Sequence, residues 1–321
     1  SPLWVPSNEK INNSLMHKFM QECPENFESY SDLHKWSIND MESFWSQFWD
    51  FSKIIYSKKF DTVLDNPVMP GAKWFSGSKL NYAENLLKGV PEQNAILSLG
   101  ENKSARSLTF RELNQKVSSV QKGLIDLGVK KNTIVAGFVP NCSETVIMML
   151  AVSSLGAVWT SCSPDFGAKG VVDRFGQVNP QILITSNGYS YNGKLFKLED
   201  KVNGVLEVID SIEHIIEINY VDVDSAFNHK SVISFDTLLE NKGELPRFEQ
   251  LSFDHPLYIM YSSGTTGPPK SIIHSAGGTL IQHMKEHQLH CDIQFGKSKM
   301  FWFTTCGWMM WNWLVSGLSS G

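Results

Sequence analysis

Residues 257–270 read LYIMYSSGTTGPPK. Four apolar residues, Leu257 to Met260, are followed by a run in which hydroxyls, glycines, two prolines and a lysine crowd together. Such a run handles phosphate. Glycines let the backbone turn its N–H groups toward an anion, Ser262, Ser263, Thr265 and Thr266 add donors, and Lys270 adds a full positive charge. It is not a Walker loop: counting GxxxxGK[ST] from Gly264 puts Pro269 where the second glycine belongs, and the two prolines remove two backbone donors. The competing reading is an ordinary polar hairpin.

Upstream of this loop the chain alternates between helical and strand-like segments. Thr109 to Glu112 form a capping box, and Leu113, Val117, Val120, Leu124 and Leu127 follow at helical spacing, with Gly128 placed to end the helix. Ile134 to Val139 read as a strand. Asn141 to Glu144 read as the cap of a second helix, whose residues Val146 to Val152 are apolar all round and therefore buried. A short strand near Ala157 to Ser161, a helix from Asp165 to about Val178 and a strand from Gln181 to Thr185 come next. This order predicts an α/β fold of layers around a largely parallel sheet, with ligands gathered where strands end at their carboxyl termini. The loop beginning at Tyr261 has that position.

Composition narrows the function. A chain of 321 residues, 42% hydrophobic and 19% charged, has the means to bury a large core. A net charge of −5 with no long basic cluster argues against nucleic acid as a partner. The apolar run around Thr145 to Ala151 is too short for a bilayer span. Cys23, Cys142, Cys162, Cys291 and Cys306 are odd in number, scattered and never in CxxC spacing, which speaks against a disulfide framework or structural zinc and fits a reducing cytosol. The Trp-rich segment just before Gly321 reads as core interior, so the chain is expected to be the N-terminal part of a longer protein, aggregation-prone and inactive by itself.

Other segments invite both a functional and a structural reading. Met41, Phe44, Trp45 and Phe48 form an aromatic helical stripe, with Asn39 to Glu42 as its capping box, and suit an arm docking onto the main body. His283, Glu286 and His287 match HxxEH, and His290 continues the helical step, but the pattern follows a phosphate loop and lacks a further ligand; an ordinary helix starting near Thr279, capped by Thr279 to Gln282, is expected, with no metal. His274 reads as a buried, hydrogen-bonded histidine ahead of a catalytic base. Met300 to Phe303 look strand-like, with Trp302 and Trp313 in the core, while Trp308, Met309 and Met310 either wall a small acyl pocket or pack as core.

The run at 261–270 resembles the AMP-binding signature of adenylate-forming enzymes, the superfamily of acyl-CoA synthetases, luciferases and peptide-synthetase adenylation domains. WSINDMESFWSQFWDF (36–51) and WFSGSKLNYAENLL (74–87) resemble the arm of short-chain acyl-CoA synthetases. SPDFGAKGVVDRF (163–175), HSAGGTLIQHMKEH (274–287) and GWMMWNW (307–313) resemble the acetoacetate-activating branch, so the likeness runs from Trp36 to the end. The resemblance implies an arm over residues 1–85 and the first part of an adenylation domain over 86–321, incomplete at the C-terminus. It implies ligation of acetoacetate to CoA through an acyl-AMP, with ATP, Mg²⁺ and CoA required. Ser262, Ser263, Gly264, Thr265, Thr266, Gly267 and Lys270 would hold the phosphates. Arg174 would meet the phosphate end of CoA, and Trp308, Met309 and Met310 would line the acyl pocket. Ser271 stands where the family loop continues Pro-Lys-Gly. The ribose-holding aspartate and the lid lysine of relatives lie beyond Gly321, so no catalytic residue is assigned. A sibling ligase for acetate, propionate or another short acid, and a noncatalytic nucleotide-binding or interaction module, stay open as alternatives.

Overall fold

The computed structural model describes residues 3–101, 103–241, 245–262 and 267–321. Among them a seven-stranded sheet organises the chain: β1 (Ile134–Phe138), β2 (Val158–Cys162), β3 (Ile182–Ser186), β4 (His214–Ile218), β5 (Val232–Ser234), β6 (Pro256–Ser262) and β7 (Lys270–Ser275). The spatial order is β5-β4-β3-β1-β2-β6-β7. All neighbours run parallel except β6 and β7, an antiparallel hairpin that pairs Ser262 with Lys270. From β1 the chain steps to β2 on one side and then to β3 on the other, so the order reverses here, as in doubly wound sheets.

Alternation along the strands feeds two cores. Ile182, Ile184 and Ile216 join one cluster, whereas Leu183 and Ile215 join the other. The first cluster holds α4 (Phe110–Asp126), α5 (Ser143–Ser154), α7 (Ala276–Lys285) and the arm; the second holds α6 (Ala168–Phe175) and the helix Glu199–Leu206. The expected α/β layered architecture with a largely parallel sheet is therefore present. No helix among the described residues is long and apolar enough to cross a membrane.

Local signals set α4 at both ends. Thr109 Oγ1 accepts from the Glu112 N–H, and the Glu112 carboxylate accepts from the Thr109 N–H at 2.8 Å, the reciprocal capping box. At the other end Gly128 takes φ +84°, and the Gly128 and Val129 N–H groups reach back to Ile125 and Leu124 carbonyls. Helix α5 is buried on every side, as its composition requires.

Other boundaries differ from the sequence reading. Besides the short helices Asn8–Asn13 and Tyr82–Leu86, the arm contains α1 (Leu15–Glu22), α2 (Tyr30–Asn39) and α3 (Met41–Phe51). Asn39 is the last residue of α2, and Asp40 caps α3 by accepting from the Ser43 N–H at 3.1 Å. Asn141 does not cap α5: its side chain is taken by the Trp311 indole, which donates to Oδ1 at 2.9 Å, and Cys142 is the cap position. Helix α6 is shorter than expected, starting after Gly167 and ending at Phe175. Helix α7 starts three residues before Thr279, because Ser275 Oγ accepts from the Gly278 N–H.

The run Trp74 to Leu87, placed in the arm by resemblance alone, is tied to the end of α5 and to the loop at Glu249. Asn81 is buried and donates to the carbonyls of Ser154 at 3.0 Å and Glu249 at 2.9 Å, while its Oδ1 accepts from the Glu84 N–H. Asn85 exchanges two hydrogen bonds with the backbone of Ile55. Buried amides stay only where such partners exist: Asn81 joins the arm to Ser154 and Glu249, and Asn85 braces the arm internally.

Candidate functional site

The site is built at the carboxyl ends of β2 and β6. Thr160 of β2 donates to the Ile259 carbonyl at 2.9 Å, and its hydroxyl lies 3.1 Å from the Tyr261 hydroxyl. Burial pushes the Tyr261 phenol up, so it stays a neutral hydrogen-bonding group. Arg174, in the last turn of α6, lies over the Tyr261 ring at 6.0 Å and over the Phe166 ring at 4.7 Å, while Nη1 donates to the Gly170 carbonyl at 2.7 Å. It is half-buried and ordered by two rings, which sets it apart from a solvated surface arginine.

Lys270 begins β7, exposed and directly across from half-buried Ser262. Gly267 is exposed with φ +97°. The assignments to Ser263, Gly264, Thr265 and Thr266 lie outside the described residues.

Trp308, Met309 and Met310 reach the same end of the sheet. Ser161 Oγ donates to the Cys306 carbonyl at 2.7 Å. Gly307 is so close to the loop after β2 that a Cβ there would lie 3.3 Å from the Ser163 nitrogen and 3.6 Å from Phe166. Trp308 then caps α8 (Met309–Ser316) and is 64% exposed, so it is not a core residue; Met309 is exposed and Met310 half-buried. Residues 300–303 form no strand, and Trp302, expected in the core, is exposed and touches Trp313 edge-on at 5.8 Å. Trp311 is the buried anchor, stacked on Trp159 at 6.4 Å.

The histidines of the HxxEH pattern form no joint set. His283 and His287 are buried, but the helix changes to π winding over Glu286–His290, which takes His290 out to solvent. His283 Nδ1 bonds the Ser316 hydroxyl at 2.8 Å, His287 packs on Trp313 at 4.6 Å, and Glu286 accepts from the Trp313 indole at 2.9 Å. Burial lowers His283 to about 3 and His287 to about 4. His274 is half-buried against the Tyr258 ring at 5.0 Å, and burial lowers it too. All five cysteines are free, and four are buried.

Sequence reasoning overlooked two residues here. Lys201 donates to the Pro164 carbonyl at 2.8 Å, tying the loop after β2 to the helix Glu199–Leu206, and Gln177 contacts the hairpin at two points. Neither belongs to a motif, and no local spacing could have singled them out.

A doubly wound α/β sheet whose strand ends gather a Ser/Gly/Lys hairpin and an aromatic-braced arginine defines a nucleotide-handling α/β enzyme class. The family model described as "AMP-binding enzyme" matches residues 84–321, and that of the "Acetyl-coenzyme A synthetase N-terminus" matches residues 30–86. The chain belongs to the AMP-binding enzyme family. It is 44% identical to the acetoacetyl-coenzyme A synthetase of Rhizobium meliloti (strain 1021), over 100% of this chain and 50% of that protein. It is 39% identical to malonamoyl-CoA synthetase vrtB of Penicillium aethiopicum, over 99% of this chain and 46% of that protein. The solved acetoacetyl-CoA synthetase from Streptomyces lividans superposes with a TM-score of 0.95 at 38% identity, covering 100% of this chain and 50% of that one. The chain thus spans about half the length of the relatives it matches.

Proposed function

We propose that the protein to which this chain belongs is a cytosolic acid–thiol ligase that joins acetoacetate to CoA at the expense of ATP. The substrate carboxylate attacks the α-phosphorus of MgATP, forming the acyl–O–P bond and breaking the bond to pyrophosphate. The thiol of CoA, losing its proton, then forms the thioester bond as AMP leaves. The observation that carries this reading is the convergence of three features on the ends of β2 and β6: the hairpin ending in Lys270, Arg174 over Phe166 and Tyr261, and the Gly307–Trp308 turn.

Each feature has a chemical task. Ser262 to Lys270 supplies donors and a cation to the departing pyrophosphate, whose charge grows along the reaction. Arg174 offers a pre-oriented guanidinium to the phosphate-bearing end of CoA. Trp308, Met309 and Met310 provide an apolar wall for a short acyl group. Mg²⁺ would enter with the triphosphate as part of the substrate. Residues 1–85 act as an arm and 86–321 as the first part of the adenylation domain.

The test is acid-dependent ATP–pyrophosphate exchange by the whole protein with acetoacetate, malonamate, acetate and propionate compared. Lys270→Ala should slow exchange on the order of a hundredfold, the usual loss for one well-placed electrostatic donor. Exchange unaffected by Lys270→Ala would remove the hairpin from the mechanism. A second reading, preference for another β-substituted acid, draws on the malonamoyl-CoA synthetase relative, and the same comparison of acids decides it.

A further inference from the structure

We propose that Gln177 is a positioning residue that holds the return limb of the phosphate hairpin and so fixes the location of Lys270. This rests on the reading of the hairpin given above. Gln177 lies two residues beyond α6, and its side chain grips the hairpin on both sides of the lysine. Nε2 donates to the Pro269 carbonyl at 2.7 Å, and Oε1 accepts from the Ser271 hydroxyl at 2.9 Å. Nε2 also donates to the Asp173 carbonyl at 2.6 Å, which ties the amide back to its own helix.

The orientation of the amide follows from its partners. Two carbonyl oxygens need donors and one hydroxyl can donate, so the opposite flip would set Oε1 against two acceptors. The position also makes mechanical sense. Pro268 and Pro269 have no N–H, so this limb has lost two of the backbone donors that would otherwise anchor it. A side chain from outside supplies the missing constraint. Ser271 and Lys270 are neighbours on a strand and project to opposite faces, so holding Ser271 from the α6 side aims Lys270 away from it. A glycine at 271 would leave Oε1 without its donor.

Gln177 also stands three residues after Arg174. One helix end thereby carries both the arginine stacked over Tyr261 and the amide that restrains Lys270. Preorganised geometry of this kind raises the rate of the chemical step more than it tightens ground-state binding.

Two measurements test the proposal. In the whole protein, amide hydrogen exchange of the segment 267–275 should accelerate about tenfold in Gln177→Ala, with the melting temperature little changed because Gln177 is exposed. In the whole protein, Gln177→Ala should lower kcat for ATP–pyrophosphate exchange about tenfold, with KM for MgATP within about twofold. Ser271→Thr should retain near-parental kcat, and Ser271→Ala should lose part of it. The double variant Gln177→Ala/Ser271→Ala should be no slower than Gln177→Ala alone. Unchanged amide exchange at 267–275, or faster amide exchange with unchanged kcat, overturns the positioning role. Absence of acid-dependent exchange in the parental protein defeats the catalytic reading of the hairpin and this role with it, and the amide-exchange result then reports a structural brace only.

Discussion

Two aromatic-rich regions of this molecule meet opposite fates. In the arm, Phe19, Phe44, Phe48, Trp49 and Phe75 are all buried, and their rings meet in chains of edge-on and tilted contacts, such as Phe19 to Phe48 at 5.9 Å and Trp49 to Phe75 at 4.8 Å. Between residues 295 and 309 the same residue types are exposed: Phe301 is 81% accessible and Phe303 84%. Composition does not separate the two. The difference is that α1 and α3 present stripes at helical spacing to each other and to the body, whereas residues 300–303 belong to no regular element that could turn one face inward. Aromatic content measures the capacity to be buried, and a periodic face with a partner realises it.

The largest expected effect lies in the arm. Phe48→Ala removes a fully buried ring from contact with Phe19, Trp45 and Phe51 and should cost about 3–5 kcal/mol, lowering the melting temperature by roughly 5 °C. A loss below about 1 kcal/mol would mean that the arm is docked too loosely for the comparison to hold.

Next in size is the pH response just beyond the second region, where Trp313 packs on His287. Burial lowers the folded-state values of His283 to about 3 and of His287 to about 4, below the ordinary imidazole value of about 6.5. As pH falls below about 6.5 the unfolded chain takes up protons that the folded chain refuses, so stability is complete above that pH and is lost as it falls toward 4. With two histidines involved, the slope should reach roughly 2–3 kcal/mol per pH unit, about 1.4 from each. His287→Phe should cut it to about half or less in urea titrations between pH 6.5 and 4.5, the remainder coming from His283. The same slope in that variant would assign the acid sensitivity to other groups.

Smaller still is the structural effect of Trp308→Gly, which should change stability by only about 0.5 kcal/mol because the ring is exposed. In the whole protein the same change should shift acid preference toward longer chains with the affinity for ATP preserved. Equal loss with every acid, together with a lowered melting temperature, would make Trp308 a packing residue. The smallest folding effect is expected for Phe303→Ser, within about 0.5 kcal/mol, while sedimentation should show less self-association of the chain, since an exposed apolar run is a docking or aggregation surface. Unaltered association would relieve this segment of that role.

Much of the frame was legible from residues close in sequence. The box at Thr109 and Glu112, the turn at Gly128 and the all-apolar α5 are each decided within one or two helical turns, and the strand–helix alternation gave the layered α/β sheet. The arm stripe was legible too, though its cap fell on Asp40 and Met41 stays exposed. The run of glycines and prolines after Tyr261 marked a chain reversal, and a hairpin pairs Ser262 with Lys270 there; the phosphate task of that hairpin is the proposal that Lys270→Ala tests.

What required the tertiary structure was every assignment that depends on a distant partner. Asn141 looked like a helix cap until Trp311, 170 residues away, claimed its oxygen. Ser275 outcompeted Thr279 as the cap of α7, and Trp302 lost its expected burial because no neighbouring face covers it. Asn81 and Gln177 carry no signature, since a side-chain amide declares its role only through the carbonyls and hydroxyls around it. The sequence by itself determined the helices with local caps and the parallel layered sheet, because periodicity and capping act over a few residues. Only the tertiary structure decided which aromatics are covered, which polar side chains are paired, and that Arg174, Trp308 and Lys270 stand at the same end of the sheet, because burial and hydrogen-bond partnership are properties of chain segments that meet only after folding.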